Sequence, residues 1–409
     1  MDPESERELR AALYRTIFAD RPSGFPADDA ESKDLEDHVF GRYDECAAIV
    51  IPWVESKTSL EGLEILEIGC GTGSSTAAFA DRAGFVHAYD INATSVEAAN
   101  ERLRILGVEN ARCQRDSPDR LLERIEREHA EGVDLVLLYA VLEHQTLDER
   151  LSTLETVWRL LRPGGCLVVT DTPNRLCYEH FHTSEVPFLD MIPTRLVWRQ
   201  IERSPRAGFR RVMRAALERS EEHAEEVLAR WGTGISYHEF ETAIGDLDGL
   251  VVGDGFDPEL AGAKPLLIEE ELLLSYLVLT EQPVPLGFAR VSVDVILRKP
   301  DGSSPPAFRS RGEEHAKRVR ARFGRLPASG SVGGAGSSSA PGADGSGGPA
   351  LGDRTGGMPG LDVGDGSAES ARLGFDWACR VAEESLNGRT LARLALSKLF
   401  RKLTGRARS

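Results

Sequence analysis

A glycine-rich run and an aspartate downstream of it have the residue types and the spacing of a nucleotide-binding site. The run 69–73 reads Gly-Cys-Gly-Thr-Gly and follows an apolar stretch, and Asp90 stands 17 positions after its last glycine. Glycines permit a tight turn and bring backbone N–H groups at a helix N-terminus against an anionic group. A carboxylate at the end of the next strand accepts two hydrogen bonds from a ribose diol. Together they predict a nucleoside cofactor site.

The spacing of the glycines separates two classes of nucleotide cofactor. Ser74 occupies the position at which the dinucleotide fingerprint Gly-x-Gly-x-x-Gly has its third glycine. A nicotinamide-dependent oxidoreductase would have the same kind of sheet, but this serine disfavours it. Asp116 ends a third predicted strand and is followed by Ser117, a position from which it would meet the exocyclic amine of an adenine. An ordinary turn is the alternative interpretation of that pair.

Short apolar runs alternate with amphipathic stretches from residue 63 to residue 172, which predicts parallel strands with helices on both faces. We predict strands at 63–68, 86–90, 111–116, 133–140 and 166–172. The intervening helices are predicted at 74–82, 94–106, 118–128 and 147–161. Two closing strands are predicted at 272–280 and 288–297. The fold class is therefore α/β, a doubly wound Rossmann-like sheet.

The remaining segments are predicted to surround this sheet in four parts. Residues 1–60 form a helical cover, with helices at 5–20 and 35–54, and residues 61–300 form the main domain. Its insertion at about 173–265, amphipathic at 211–231, covers the substrate side, because insertions at the carboxyl end of a parallel sheet lie over the ligand crevice. Residues 301–370 are a flexible, disordered Gly/Ser/Pro-rich linker, and 371–409 are a basic amphipathic helix.

The charge balance and the cysteines exclude several functions. A formal net charge of −17 opposes binding to the phosphates of nucleic acid. Six dispersed cysteines form no Cys-x-x-Cys pair and are predicted to be reduced and mostly buried. The N-terminus has no secretory pattern, and no apolar run is long enough for a membrane span. The expected compartment is the cytoplasm. The basic C-terminal helix is compatible with two binding partners, a protein surface or an anionic inner membrane surface.

The motifs between residues 63 and 172 resemble those of class I S-adenosylmethionine-dependent methyltransferases. The matching segments are Leu-Glu-Ile-Gly-Cys-Gly-Thr-Gly at 66–73, Asp90, Val-Leu-Glu-His at 141–144 and Leu-Arg-Pro-Gly-Gly at 161–165. The resemblance implies a seven-stranded sheet and S-adenosylmethionine as cofactor, with its methionine part at the glycine loop, its ribose at Asp90 and its adenine beside 116–117. The implied cofactor-binding residues are Glu67, Gly69, Gly71, Gly73, Asp90, Ile91, Asp116 and Ser117.

Within this class, the segment after the fourth strand is similar to that of O-methyltransferases of the quinone-biosynthesis type. In those enzymes a Glu-x-x-Glu-His run binds a divalent metal. Glu143 and His144 match this run, but Ala140 replaces the first glutamate, so no metal is expected here. The Asn/Asp-Pro-Pro-aromatic run of amide and adenine N-methyltransferases is missing, which disfavours those substrates. An oxygen acceptor is the remaining expectation.

Two groups of residues are candidates for handling a small-molecule acceptor. Methyl transfer to a hydroxyl needs alignment and a base, and the imidazole of His144 titrates near neutral pH. The alternative is that His144 only braces its loop. Tyr178, His180 and His182 open the insertion and are predicted to form a substrate wall. That stretch resembles methyltransferases of bacterial glycan and lipid-carrier pathways, which implies a sugar or lipid-linked acceptor. A non-catalytic cofactor-binding scaffold remains the rival function.

Overall fold

The structure, a computed structural model, describes residues 2–19, 35–178, 180, 182–302 and 308–323. Most of the predicted linker and the whole predicted C-terminal helix lie outside these residues. No helix among the described residues is long and apolar enough to cross a membrane. The five cysteines in the described part are buried and unpaired, as predicted.

A seven-stranded sheet forms the centre of the molecule. Its strands run in the order β3-β2-β1-β4-β5-β7-β6. The first five are parallel to one another, and β7 is antiparallel to both β5 and β6. This arrangement confirms the doubly wound, seven-stranded fold. The strands are β1 (Glu64–Ile68), β2 (Phe85–Asp90), β3 (Ala111–Arg115), β4 (Val133–Tyr139), β5 (Leu161–Pro173), β6 (Val251–Asp254) and β7 (Ser292–Arg298).

Helices cover both faces of the sheet. Because successive side chains of a strand point to opposite faces, β4 serves two cores: Val136 and Leu138 pack on one side, and Leu135 and Leu137 on the other. Helix α2 is one continuous helix that includes two π-helical turns. The helices are α1 (Pro3–Arg15), α2 (37–55), α3 (Ser74–Ala80), α4 (Ala93–Leu106), α5 (Pro118–Glu128), α6 (Leu147–Leu160), α7 (Thr194–Val197), α8 (Ala207–Arg219), α9 (Glu221–Trp231), α10 (Tyr237–Ile244), α11 (Pro258–Ala263), α12 (Ile268–Leu279) and α13 (Gly312–Phe323).

Local capping explains why the predicted helix boundaries of the main domain are confirmed to within a few residues. Asn92 accepts hydrogen bonds from the backbone N–H groups of Thr94 and Ser95 at the start of α4. Thr146 and Glu149 form a reciprocal capping box at the start of α6. Gly107, at φ +68°, ends α4 in the left-handed region. These signals are readable from short sequence segments.

Of the two predicted closing strands, the second is confirmed and the first is wrong. Residues 292–298 form β7, but the segment predicted as a strand at 272–280 lies in helix α12. Its apolar run could suit either a buried strand or a buried helix. Three consecutive glutamates in the first turn favour the helix, since acidic groups stabilise a helix N-terminus. The sixth strand is instead the short β6, which our prediction missed.

Two further predictions need correction. The amphipathic stretch predicted at 211–231 forms two helices, α8 and α9, because the side chain of Ser220 caps a new helix by accepting from the N–H of His223. Residues 312–323 were assigned to the flexible linker, but they form α13, whose Ala316 is buried in the core on the α12 side. The glycine-rich composition that predicts disorder begins only after this helix.

The insertion between β5 and β6 carries helices α7 to α10. It has a small hydrophobic core of its own, in which Phe209 and Met213 are completely buried. The N-terminal helices α1 and α2 lie on the other side, where α1 packs on α4. The segment linking α9 to α10 contacts the loop after β4, since the N–H of Thr233 donates to the carbonyl of Glu143 at 2.9 Å. The insertion therefore borders the carboxyl edge of the sheet.

Candidate functional site

The glycine loop between β1 and α3 has a backbone that requires glycine. Gly69, Gly71 and Gly73 have φ values of +76°, +51° and +73°. A Cβ on Gly69 would lie 2.5 Å from Cγ2 of Val141, in the loop after β4. The N–H groups of Gly69 and Cys70 both donate to the carbonyl of Tyr89 on β2, at 2.7 and 3.1 Å. The loop is thus held between the ends of three strands.

Glu67 lies beneath this loop. Its carboxylate is 1% exposed and accepts hydrogen bonds from the hydroxyls of Ser75 and Thr76 in the first turn of α3. Burial raises the pKa of Glu67. The structure therefore places this residue, predicted to bind the cofactor, where it anchors the helix N-terminus that presents the loop.

The carboxylate of Asp90 is oriented by the glycine loop. One oxygen accepts from the N–H of Gly71 at 2.9 Å, and the other accepts from the N–H of Asn92 at 2.8 Å. A carboxylate has about four lone-pair positions, so two remain for a ligand diol. Ile91, the next residue, is 40% exposed. The predicted sugar-binding acid and the glycine loop are therefore brought together.

Asp116 and Ser117 lie at the end of β3, next to Asp90. The N–H of Asp116 donates to the carbonyl of Asp90 at 3.4 Å, and its own carboxylate accepts from the N–H of Ser117 at 2.8 Å. The guanidinium of Arg124 lies 3.6 Å from the second carboxylate oxygen. The pair lies at the edge of the sheet where an adenine is predicted to bind. The carboxylate of Asp116 already contacts the N–H of Ser117 and the guanidinium of Arg124.

Arg102 on α4 is a positioning residue that sequence reasoning missed. It is 1% exposed and donates to the carbonyls of Thr72, at 2.8 Å, and of His38 and Val39. Burial lowers the pKa of Arg102 to about 10. The guanidinium therefore ties the glycine loop to helix α2.

Replacing Arg102 with methionine should lower the free energy of unfolding by about 2–4 kcal/mol, because buried carbonyls lose a charged donor. It should also weaken cofactor binding, since α2 is released from the loop. Urea denaturation and calorimetry with S-adenosylmethionine measure the two effects. Arg104→Met is the matched control, because Arg104 is 55% exposed in its ion pair with Glu8 and its replacement should leave stability nearly unchanged. Equal effects in the two variants would contradict this role.

The loop after β4 presents an acid and an imidazole to the cleft. Glu143 is fully buried, and neither of its carboxylate oxygens accepts a hydrogen bond from another described residue. Burial raises the pKa of Glu143 to about 8. The side chain of His144 is 41% exposed, and its Nδ1 donates to the carbonyl of Arg230 at 3.0 Å. That bond leaves the lone pair on Nε2, which lies 3.9 Å from Oε1 of Glu143.

The three residues of the predicted substrate wall separate in the structure. His182 lies against His144, with ring centroids 5.0 Å apart. Tyr178 is 42% exposed and packs edge-on against Phe188 at 4.7 Å. His180 is buried, and its two ring nitrogens bond to the hydroxyl of Ser184 and the carbonyl of Gly232, each at 3.0 Å. His180 thus holds the insertion together, which corrects its predicted contact with the substrate.

Arg150 at the start of α6 joins the loop after β4 to the insertion. It is 1% exposed and donates to the carbonyls of Leu142, Thr233 and Gly234 at 2.7, 2.9 and 3.0 Å. Its ion pair with Glu239 spans 3.2 Å. Thr233, Gly234 and Glu239 are more than 80 positions away along the chain, so no local pattern could reveal these contacts.

Strained backbone marks the neighbouring ends of β4 and β5. Ala140 and Asp171 have φ values of +54° and +55°, although neither is glycine. Such strain costs about 1–3 kcal/mol per residue and clusters at functional sites. Asp294 on β7 stabilises one of them, because it accepts from the N–H of Asp171 at 2.9 Å, and Lys264 lies 3.6 Å from the Asp171 carboxylate. Asp171 therefore lies at the same carboxyl edge of the sheet as His144.

Comparison with known proteins gives a family for the central segment. Residues 66–167 match the family model described as a methyltransferase domain. This match confirms the resemblance to class I S-adenosylmethionine-dependent methyltransferases.

Individual relatives match only part of the chain. A ubiquinone biosynthesis O-methyltransferase of Pseudomonas entomophila (strain L48) is 27% identical over 115 residues, 28% of this chain and 47% of that protein. An O-methyltransferase (rstn1) of Aspergillus nomiae is 28% identical over 141 residues, 31% of this chain and 57% of that protein. The chain thus spans about half the length of these curated relatives. Magnesium protoporphyrin IX methyltransferase (ChlM) of Synechocystis PCC 6803 superposes on 72% of this chain and 99% of its own, with a TM-score of 0.38 and 14% identity.

Proposed function

We propose that this chain, whose residues 66–167 match the family model of a methyltransferase domain, transfers a methyl group from S-adenosylmethionine to an oxygen of a small-molecule acceptor. The observation that carries the proposal is the position of His144. It directly follows β4, which pairs with β1, so it stands on the sheet edge where the glycine loop and Asp90 form the cofactor half of the site.

The cofactor half has one group for each part of S-adenosylmethionine. The N–H groups of the glycine loop and the N-terminus of α3 suit the carboxylate of the methionine part. Asp90 suits the ribose hydroxyls, and Ile91 offers an exposed apolar surface to the adenine. Asp116 and Ser117 stand at the adenine edge. At each of these positions, the residue type suits the part of S-adenosylmethionine that is assigned to it.

Methyl transfer requires few functional groups from the protein. The sulfonium is already a good leaving group, so the protein aligns the acceptor oxygen with the methyl carbon and removes the proton of the hydroxyl. His144 is suited to accept that proton at its Nε2. Burial lowers the pKa of His144, which favours the neutral imidazole, the form that can accept a proton.

We propose a sugar or a lipid-linked intermediate as the acceptor. A cavity of about 630 Å³ begins at Gln145 and Thr146, directly after His144, and extends between α6 and the insertion. Arg175, Asp190 and Thr233 also line it, and these groups suit a compound rich in hydroxyls. The exposed pair of Tyr178 and Phe188 lies on the same insertion and offers an apolar or ring-stacking surface.

Labelled methyl transfer tests the function directly. The full chain is incubated with S-adenosylmethionine labelled in the methyl group and with a small-molecule extract of bacterial cells, and labelled products are sought by mass spectrometry. We expect a labelled product whose methyl group is attached to oxygen. Cofactor binding with every metabolite unlabelled would support the scaffold function instead, and a label on nitrogen or carbon would contradict the oxygen acceptor. A membrane or protein contact through 371–409 stays a prediction, since those residues lie outside the structure.

A further inference from the structure

Three metal-ligating side chains meet at the carboxyl edge of the sheet. Glu143, His144 and His182 each have one donor atom within 4.8 Å of the donor atoms of the other two. The first two residues belong to the loop after β4, and the third comes from the insertion. The carboxylate that the sequence lacks at Ala140 is thus replaced by an imidazole from elsewhere in the chain.

The hydrogen bonds around the two imidazoles leave one nitrogen of each available. Nδ1 of His144 faces the carbonyl of Arg230, which only accepts, so Nδ1 carries the proton. Nδ1 of His182 lies 3.1 Å from the hydroxyl of Thr183, which already donates its proton to the carbonyl of Gly232 at 2.7 Å. His182 therefore also donates from Nδ1. Both rings have a free lone pair at Nε2, held by the outer hydrogen bonds that metal-binding histidines typically make.

The acid of the group has no competing partner. Glu143 is 0% exposed, and both of its carboxylate oxygens lack a hydrogen-bond partner among the described residues. A buried carboxyl group that makes no hydrogen bond is costly and calls for a partner. The distance from its Oε1 to Nε2 of His144 is 3.9 Å. Two ligands of one tetrahedral ion are about 3.4 Å apart, so small side-chain rotations suffice.

We propose that Glu143, His144 and His182 bind one divalent transition-metal ion at the acceptor side of the cleft. The donor set of two imidazoles and one carboxylate suits zinc or cobalt, whereas Mg²⁺ prefers oxygen ligands alone. His144 is 41% exposed, so the site is open to a fourth ligand from the cleft. When bound, such an ion lowers the pKa of a hydroxyl oxygen that it contacts, which is the chemistry that methylation of a hydroxyl needs.

The proposed site rests on the proposed function in one respect, because it places the ion beside the acceptor. With the ion bound, Nε2 of His144 would be a ligand, so His144 would act as the base only in the metal-free protein. In the loaded protein the ion would acidify the acceptor hydroxyl, and its proton would leave to solvent.

Metal binding by the full chain tests this site without relying on activity. The protein is stripped with a chelator and titrated with Zn²⁺ by calorimetry, and with Co²⁺ by visible absorption. We expect one high-affinity site with the absorption of a four- or five-coordinate cobalt ion. Glu143→Gln and His182→Gln should each weaken binding by at least the roughly 10–100-fold that loss of an outer hydrogen-bond partner costs. His223→Gln, on α9 and outside the cluster, should leave binding unchanged.

The outcomes separate this site from the methyltransferase function. Absence of a site in the wild type, or unchanged affinity in both Glu143→Gln and His182→Gln, would overturn the metal proposal. Should one variant fail to fold, the other still decides, because the half-buried ring of His182 and the buried acid differ in their packing. S-adenosylmethionine binding is measured on the same samples. A protein that binds and uses this cofactor but no metal loses only the metal site, whereas a protein that binds metal but not the cofactor contradicts the proposed function.

Discussion

Replacing Asp90 with alanine is expected to weaken S-adenosylmethionine binding by on the order of 10²–10³-fold, because two hydrogen bonds to a charged acceptor are lost. The carboxylate also accepts from the N–H groups of Gly71 and Asn92, so its removal loosens the glycine loop as well. Asp90→Asn keeps one acceptor oxygen and should lie between the wild type and alanine. Calorimetric titration with the cofactor measures all three affinities.

The control for this prediction is Asp246→Ala. Asp246 is an exposed aspartate in the loop before β6 whose carboxylate also accepts a backbone hydrogen bond, from the N–H of Asp248 at 2.9 Å. Its replacement should leave cofactor affinity unchanged. Wild-type affinity in Asp90→Ala would remove the assignment of the ribose site. A comparable loss in Asp246→Ala would mean that the effect is one of general stability.

Replacing His144 with alanine should lower turnover by roughly 10²–10⁴-fold, the usual contribution of a positioned base. Loss of the imidazole leaves the acceptor hydroxyl without the group that faces it, whether that group acts as the base or as a metal ligand. Cofactor affinity should stay within a few-fold of the wild type, because the contacts of His144 are with Arg230 and His182 rather than with the glycine loop. Single-turnover measurement with the acceptor found by labelling gives the rate.

His223→Ala is the matched control for His144→Ala, since His223 is a histidine on α9 that lies on the other end of that helix from Arg230. It should keep full turnover. Undiminished turnover in His144→Ala would assign proton removal to another group, and Asp171 would then be the next candidate. Activity that persists in a chelator would favour the base over the metal ligand.

The two halves of the site are built in different ways. The cofactor half lies within consecutive β-α units, and each of its groups is oriented by neighbours close in sequence or on the adjacent strand. The acceptor half is assembled from the loop after β4, the start of the insertion and the α9–α10 link. Arg150 joins these segments through the carbonyls of Leu142 and Thr233. A change of the insertion can therefore alter the acceptor without disturbing the cofactor site.

The errors at α12 and β6 arise because tertiary packing, rather than the local sequence pattern, decides the secondary structure of these two segments. The apolar run in α12 has no clear period, so its composition suits a buried strand as well as a buried helix. Only its packing against the sheet and the acidic first turn select the helix. Conversely, β6 has four residues, Val251 to Asp254, and becomes a strand because β7 offers it an edge to pair with.

The amino-acid sequence alone determined the positions of β1 to β5 along the chain, the glycine loop, and the spacing from that loop to Asp90. These features depend on local conformational preference and on spacing within one strand-helix unit, and both can be read from short segments. Tertiary structure alone decided that His182 stands beside His144, that His180 is a packing residue and that Arg102 and Arg150 hold the two halves in place. Those contacts join segments tens of residues apart, and their geometry follows from how the insertion and the N-terminal helices pack on the sheet.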